Sequence, residues 1–157
     1  MVVKIYTDGS SRGNPGPGGF GVVMVFGENR KELSRGYKLT TNNRMELLAV
    51  VSALEILKTN KFKIHITSDS KYVIDSITKG WLNGWVKKKF KGKKNKDLWL
   101  RYLKVSESYD ISYTWVKGHA GHIENERCDY LAVQAADFGP WEIDQGYEKD
   151  NSLEIFD

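Results

Sequence analysis

FGVVMVFGENRKELSRGYKLTTNNRMELLAVVSALEILK, residues 20–58, changes its hydrophobic period partway along, and that change decides the fold class. Residues 20–26 (FGVVMVF) are a short β-branched run and residues 33–40 (LSRGYKLT) a second one, so the two read as strands joined in a hairpin through Gly27 to Glu32. From Asn43 to about Lys58 the apolar residues Leu47, Val50, Val51, Leu54 and Leu57 fall at helical spacing, which predicts a core-facing helix. On the N-terminal side, VVKIYT (2–7) reads as a strand entering a turn at Asp8-Gly9, followed by the glycine-rich run GNPGPGG (13–19). On the other side, FKIHIT (62–67) is a strand, and Ser68-Asp69-Ser70 opens a helix through Ile77. Helical patterns at 81–89 and 97–106 flank the lysine-rich loop FKGKKNK. ISYTWV (111–116) is a fifth strand, and a last helix runs from about His122 to Ala136. The order β-β-β-α-β-α-α-α-β-α predicts an α/β fold: a five-stranded mixed sheet, hairpins first and crossovers later, flanked by helices.

At 157 residues and 17.9 kDa the chain has the size of one domain, and 40% hydrophobic residues exclude a disordered chain. The single cysteine, Cys128, cannot form an internal disulfide, and no apolar stretch approaches a membrane span, so a soluble protein of the cytoplasm, without a membrane partner, is expected. The net charge of +4 is unevenly held. Between Lys79 and Arg101 eight lysines and one arginine face a single acid, Asp97, and such a patch suits a polyanion. Residues 138–157 carry six acids (Glu142, Asp144, Glu148, Asp150, Glu154 and Asp157) against Lys149. This extension reads as a mobile or loosely docked, solvating tail.

Each acid near an element end has an ordinary explanation by itself. Asp8 before Gly9 suits a turn, Glu46 three residues after Asn43 resembles half of a capping box, and Asp69 suits an N-cap. Asp129 is different. The apolar stripe of its helix is Cys128, Leu131, Ala132 and Ala135, so Asp129 faces elsewhere, in line with Glu126 and His122. In an α/β sheet, acids at strand ends and helix starts can converge on one rim. Four carboxylates there repel, and hard oxygen ligands suit Mg²⁺ or Mn²⁺ as counterion. Two such ions would stabilise the attacking and leaving oxygens of a phosphoryl displacement. With the basic segment, the cluster suggests a nuclease. A zinc site from His119, His122, Cys128 and Asp129 is a weaker alternative that leaves Asp8, Glu46 and Asp69 without a role. A nucleic-acid-binding module using the lysines alone is another.

Five blocks in order closely resemble bacterial ribonuclease HI: YTDGSSRGNPGPGGFG (6–21), TTNNRMELLAV (40–50), ITSDSKYV (66–73), WLNGWVKKKFKGKKNKDLW (81–99) and WVKGHAGHIENERCDYLA (115–132). The resemblance implies a ribonuclease H-like sheet with a basic helical protrusion, in a catalytic domain over residues 1–137 with the protrusion at about 80–99. It implies endonucleolytic hydrolysis of the RNA strand of RNA/DNA hybrids, with two Mg²⁺ ions or with Mn²⁺, leaving 5′-phosphate and 3′-hydroxyl ends, by a monomer. Another nuclease of the same fold, such as a junction resolvase, remains as an alternative.

Carried over block by block, the resemblance assigns metal binding and catalysis to Asp8, Glu46, Asp69 and Asp129, and a proton-transfer or product-release role to His119. His122 is read as a residue near a helix N-terminus. Backbone amides of the loop Ser10 to Gly16, where glycines leave room, can approach a 2′-hydroxyl, and Gly9, Ser10 and Asn14 are expected substrate contacts. Thr41, Asn42, Asn43 and Arg44 at a helix start suit a phosphate of the DNA strand. Lys71 stands where bacterial members commonly have Gln, which leaves one base-proximal contact altered. Lys87, Lys88 and Lys89, with Trp81 and Trp99, complete the expected substrate-binding set. Trp81 and Trp85 are also expected to anchor the protrusion by packing.

Overall fold

The computed structural model describes residues 1–149. Its sheet contains β1 (Val2–Ser11), β2 (Gly16–Phe26), β3 (Asn29–Thr40), β4 (Lys63–Ser68), β5 (Ile111–Trp115) and the two-residue β6 (Trp141–Glu142), in the order β5-β4-β1-β2-β3-β6. β1, β2 and β3 pair antiparallel, whereas β4 and β5 run parallel to β1. Parallel neighbours need long connections. α1 (Asn42–Glu55) lies between β3 and β4, and α2 (Lys71–Thr78), α3 (Trp81–Lys87) and α4 (Lys96–Ser106) lie between β4 and β5. α5 (Ile123–Phe138) follows β5.

Both faces of the central sheet are covered. Gly18 and Gly19 are consecutive in β2. A Cβ on Gly18 would stand 3.1 Å from Met45 of α1, and one on Gly19 would stand 2.7 Å from the Ala132 carbonyl oxygen of α5. Neighbours in a strand point to opposite faces, so α1 and α5 pack on opposite sides. The same contacts correct the turn expected over residues 13–19. β1 continues past Asp8 to Ser11, which pairs with Gly18, and Gly16–Gly19 belongs to β2. Gly18 and Gly19 make room for helices, whereas Gly16 lies against the Arg12 carbonyl of the connection between β1 and β2.

α1 is buried around most of its circumference because it lies between the sheet and α4. Met45, Leu47, Val50, Val51 and Leu54 have no exposed surface. Its N-cap is Thr41, whose hydroxyl accepts from the Arg44 amide at 3.3 Å, so Glu46 lies beyond the capping-box position. The N-cap of α2 is Ser70, whose hydroxyl accepts from the Val73 amide at 3.2 Å; Asp69 is not the cap.

Three expectations for the protrusion and tail change. Trp99 has no exposed surface: its indole N–H donates to the Tyr72 hydroxyl at 2.8 Å, and Trp85 and Tyr102 pack edge-on against it, so it is core and not a substrate contact. Trp85 anchors the protrusion as expected, but Trp81 is 47% exposed, with Lys79 over its ring. The tail is docked as far as it is described: β6 adds a sixth strand beside Gly36 and Tyr37 of β3, and Asp144 is buried. Burying a carboxylate is costly unless it is paired, and Asp144 is paired with Arg44. Asp150, Glu154 and Asp157 lie outside the described residues. Among the described residues, no helix is long and apolar enough to cross a membrane.

Candidate active site

Four of the five proposed catalytic side chains come from different elements, and the sheet order explains their meeting. β1 is central, with β4 beside it, so Asp8 on β1 lies next to the end of β4, which Asp69 follows directly. Glu46 reaches the same place from the second turn of α1. Gly9 makes this approach feasible, since a Cβ there would lie 2.3 Å from the Glu46 amide nitrogen. One carboxylate oxygen each from Asp8, Glu46 and Asp69 lies within 4.8 Å of the others. Asp129 on α5 shares a small cleft with Asp8 and Asp69, which His119, His122 and Glu126 also line. The inference that Asp129 shares a helix face with Glu126 and His122 therefore matches the geometry.

The electrostatics of the cluster are strained. Asp8 is 7% exposed, and burial, then repulsion by Asp69 and to a smaller extent by Asp129, pushes its carboxyl up to about 8. A hydrogen bond with Glu46 and one from the Gly9 amide, at 2.8 Å, oppose the shift but do not cancel it. Burial, with the charges of Asp8 and Asp69, raises Glu46 well above the usual carboxylate range. Glu46 Oε1 and Asp69 Oδ1 are both buried without a hydrogen-bond partner. Buried acceptors normally have a donor, and repelling carboxylates need positive charge. A divalent cation with an oxygen-ligand preference meets both needs.

Asp69 is positioned by its neighbours. The Trp115 indole N–H donates to the Asp69 carbonyl at 2.9 Å, and the Val116 amide donates to the Ser68 carbonyl at 3.0 Å. These tie the β4–α2 junction to the end of β5. Lys71 lies with its ammonium 4.8 Å from the centre of the Trp115 ring. His119 is exposed in the loop after β5 and has a positive φ of 56°. Lys117 and Asn125 also line the cleft and were not among the residues singled out from sequence. Both stand inside the block at 115–132, next to residues that were.

Several expected substrate contacts are engaged within the protein. The Ser11 amide donates to Asn42 Oδ1 at 2.7 Å, the Arg12 amide to the Pro17 carbonyl at 2.7 Å, and the Asn42 amide to Asn14 Oδ1 at 3.0 Å. The amides of Ser11 and Arg12 are thus unavailable to a 2′-hydroxyl, and Gly9 is buried with its amide on Asp8. Arg44 is corrected more fully. At 2% exposure its guanidinium forms paired hydrogen bonds with Asp97 at 2.8 and 2.7 Å and with Asp144 at 2.8 and 2.9 Å. It neutralises acids of the protein and not a phosphate. Ser10, Asn43, Lys71, Trp81, Lys87, Lys88 and Lys89 retain exposed surface.

A central β1 carrying an acid, joined by acids from α1, the end of β4 and α5, marks an α/β fold whose sheet rim concentrates carboxylates. The chain belongs to the ribonuclease H family: a family model described as RNase H matches residues 1–137. It is 54% identical over 139 residues to a protein named Ribonuclease H from Desulforamulus reducens, covering 85% of this chain and 87% of that one. It is 52% identical over 151 residues to the Ribonuclease H of Shewanella amazonensis, covering 93% and 96%. The crystal structure of LC9-RNase H1, described as a type 1 RNase H with the type 2 active-site motif, superposes with a TM-score of 0.80 at 32% identity, covering 96% of this chain and 81% of that one.

Proposed function

We propose that this protein hydrolyses the RNA strand of RNA/DNA hybrids as a divalent-cation-dependent endonuclease, leaving 5′-phosphate and 3′-hydroxyl ends. The observation that carries the reading is the convergence of Asp8, Glu46 and Asp69, with two buried carboxylate oxygens lacking a donor, in a chain of the ribonuclease H family. Asp8, Glu46, Asp69 and Asp129 would hold two Mg²⁺ ions, or Mn²⁺. Bound there, the ions supply the positive charge that activates a water and stabilises the phosphoryl oxygens. Asp8, on the central strand β1, would take part in holding both ions. His119, exposed beside the cleft, moves a proton or assists product release. Lys71 offers a charged contact to the RNA strand near the cleft. The protein acts as a monomer in the cytoplasm; its one cysteine, Cys128, is buried with its thiol on the Tyr6 carbonyl, as suits a reducing compartment.

The test is a labelled RNA/DNA hybrid incubated with Mg²⁺, beside RNA-duplex and DNA-duplex controls. Cleavage of the RNA strand of the hybrid alone, abolished by a chelator, is expected. Binding of the hybrid without cleavage would instead favour a non-catalytic binding module, and equal cutting of a DNA duplex would favour another nuclease of this fold.

The protrusion acts on binding rather than on the chemical step. Lys87, Lys88, Lys89 and Lys91 are exposed and none of them lines the acidic cleft. Each lysine that neutralises a phosphate adds about −0.9 to the slope of log affinity against log salt on a B-form duplex. Replacing these four with Gln is expected to raise KM, to flatten the salt dependence by as much as about 3.6 units, and to leave kcat nearly unchanged. Cleavage rates at several salt concentrations measure all three. A lower kcat with an unaltered salt slope would contradict the assignment.

A further inference from the structure

The tail is pinned across the start of α1. Asp144 is 5% exposed, and both of its oxygens are engaged. Oδ2 accepts from Thr40 Oγ1 at 2.7 Å and Arg44 Nε at 2.8 Å; Oδ1 accepts from Arg44 Nη2 at 2.9 Å and the Tyr147 amide at 3.3 Å. Gly146 then passes against the Arg44–Asp97 pair, where a Cβ would stand 1.9 Å from Asp97 Oδ2. Residues 145–149 are helical, and Asp144 serves as the N-cap of that turn. Thr40 and Arg44 flank Thr41 in sequence, so the pin lies beside the N-terminus of α1.

Beyond the pin, Tyr147 forms part of the wall of a cavity of about 420 Å³. Asn14, Thr41 and Asn43 contribute to the same wall lining, as do Lys93, Lys94 and Lys96 from the protrusion. No acidic side chain among the described residues lines this cavity. Beneath it, Arg44 faces two carboxylates, Asp97 and Asp144, an excess of one negative charge that the three lysines outweigh. The cavity is therefore suited to an anion, and the buried pairing of Asp144 brings the acidic tail to its edge without presenting that acid to the ligand.

We propose that Tyr147 is a substrate-contacting residue: held by Asp144, it packs against the phosphodiester backbone of the nucleic-acid strand that occupies this cavity. This rests on the hybrid-cleaving reading above. A tyrosine has two side-chain torsions, so it contributes a broad apolar ring and a hydroxyl donor at a small ordering cost. Contacts to phosphate and sugar fix the register of a strand without reading its sequence. Asp144 is the positioning residue. The C-terminal segment is then a wall of the binding site and more than a stabilising appendage.

Steady-state cleavage of a hybrid by Tyr147→Ala tests this. KM is expected to rise about three- to tenfold, the scale of one ordinary uncharged contact, with kcat within about twofold and the melting temperature little changed. Tyr147→Phe keeps the ring and is expected to stay near wild-type KM; a Phe variant as weak as the Ala variant still places the contact at Tyr147, through its hydroxyl. Asp144→Ala is expected to raise KM similarly, and adding Tyr147→Ala to it should cause little further rise, because residues acting through one another are non-additive. An unchanged KM in Tyr147→Ala, or a loss confined to kcat, would overturn the inference. If wild-type protein fails to cut the hybrid at all, it is the functional reading that fails; wild-type cleavage with an indifferent Tyr147→Ala overturns the Tyr147 contact alone.

Discussion

Asp8→Asn is expected to abolish hydrolysis while leaving the fold intact and the metal-free protein more stable at alkaline pH. An amide keeps the shape of the side chain but cannot share its charge between two cations. Losing about 3 kcal/mol or more of transition-state stabilisation corresponds to at least a hundredfold in rate. The stability effect follows from proton linkage. Burial and Asp69 raise Asp8 from an unfolded value of 3.8 to about 8, so in this window the folded chain holds a proton that the unfolded chain has released. That contribution to stability is fully present below pH 4 and is lost as pH rises through about 8. Glu46 shifts in the same direction. In a chelator, Asp8→Asn is expected to melt at least about 2 °C above wild type at pH 8, with the difference vanishing near pH 4. Adding Mg²⁺ should raise the melting temperature of wild type more than that of the variant, since a ligand stabilises whichever form binds it. Circular dichroism, thermal melts and hybrid cleavage measure the three effects. A correctly folded variant with more than about a tenth of wild-type activity would exclude Asp8 from a shared metal site.

His119→Ala is expected to lower kcat by about 10² to 10⁴, the range of a proton-transferring group, with KM and the metal-dependent rise in melting temperature retained. The histidine lines the cleft yet is exposed on a loop with a left-handed backbone, so removing its ring empties no core. Rates of the variant and of wild type are compared from pH 6 to 9. An undiminished rate over that whole range removes His119 from the mechanism, and a lost metal response would make it a ligand instead.

Local pattern carried most of the element assignments. The change from strand to helical period between residues 40 and 43 corresponds to the end of β3 and the start of α1; Leu47, Val50, Val51 and Leu54 are core, whereas the helix ends at Glu55 and Leu57 lies beyond it, partly buried. Spacing could not show which glycines bend the chain. Gly16–Gly19 has the composition of a turn, but it is strand, and α1 and α5 press on its Gly18 and Gly19 from opposite sides, a tertiary fact. The aromatics failed for a related reason: Trp81 and Trp99 both sit among lysines, and only packing sends Trp99 inside and leaves Trp81 outside. Arg44 beside Thr41 suggested a phosphate site, because its acid partners Asp97 and Asp144 lie 53 and 100 residues away in sequence. Asp144 itself was indistinguishable from its neighbours in an acidic tail until its pairing with Arg44 was seen. The carboxylates Asp8, Glu46, Asp69 and Asp129 were legible because each falls in a different one of the five ordered blocks, whereas Lys117 and Asn125 carried no distinguishing pattern of their own.

The acids of the cleft are drawn from positions 8, 46 and 69 early in the chain and from position 129 on α5, with the strap at Asp144 later still. During synthesis, therefore, three of the carboxylates emerge well before the fourth, and the cavity bordered by Tyr147 has no complete wall until residue 147 has emerged. A nascent chain can present its lysines to nucleic acid before it has the means to cut. Complete assembly of the cleft therefore waits on α5, which brings Asp129, and that of the cavity on the segment that carries Tyr147.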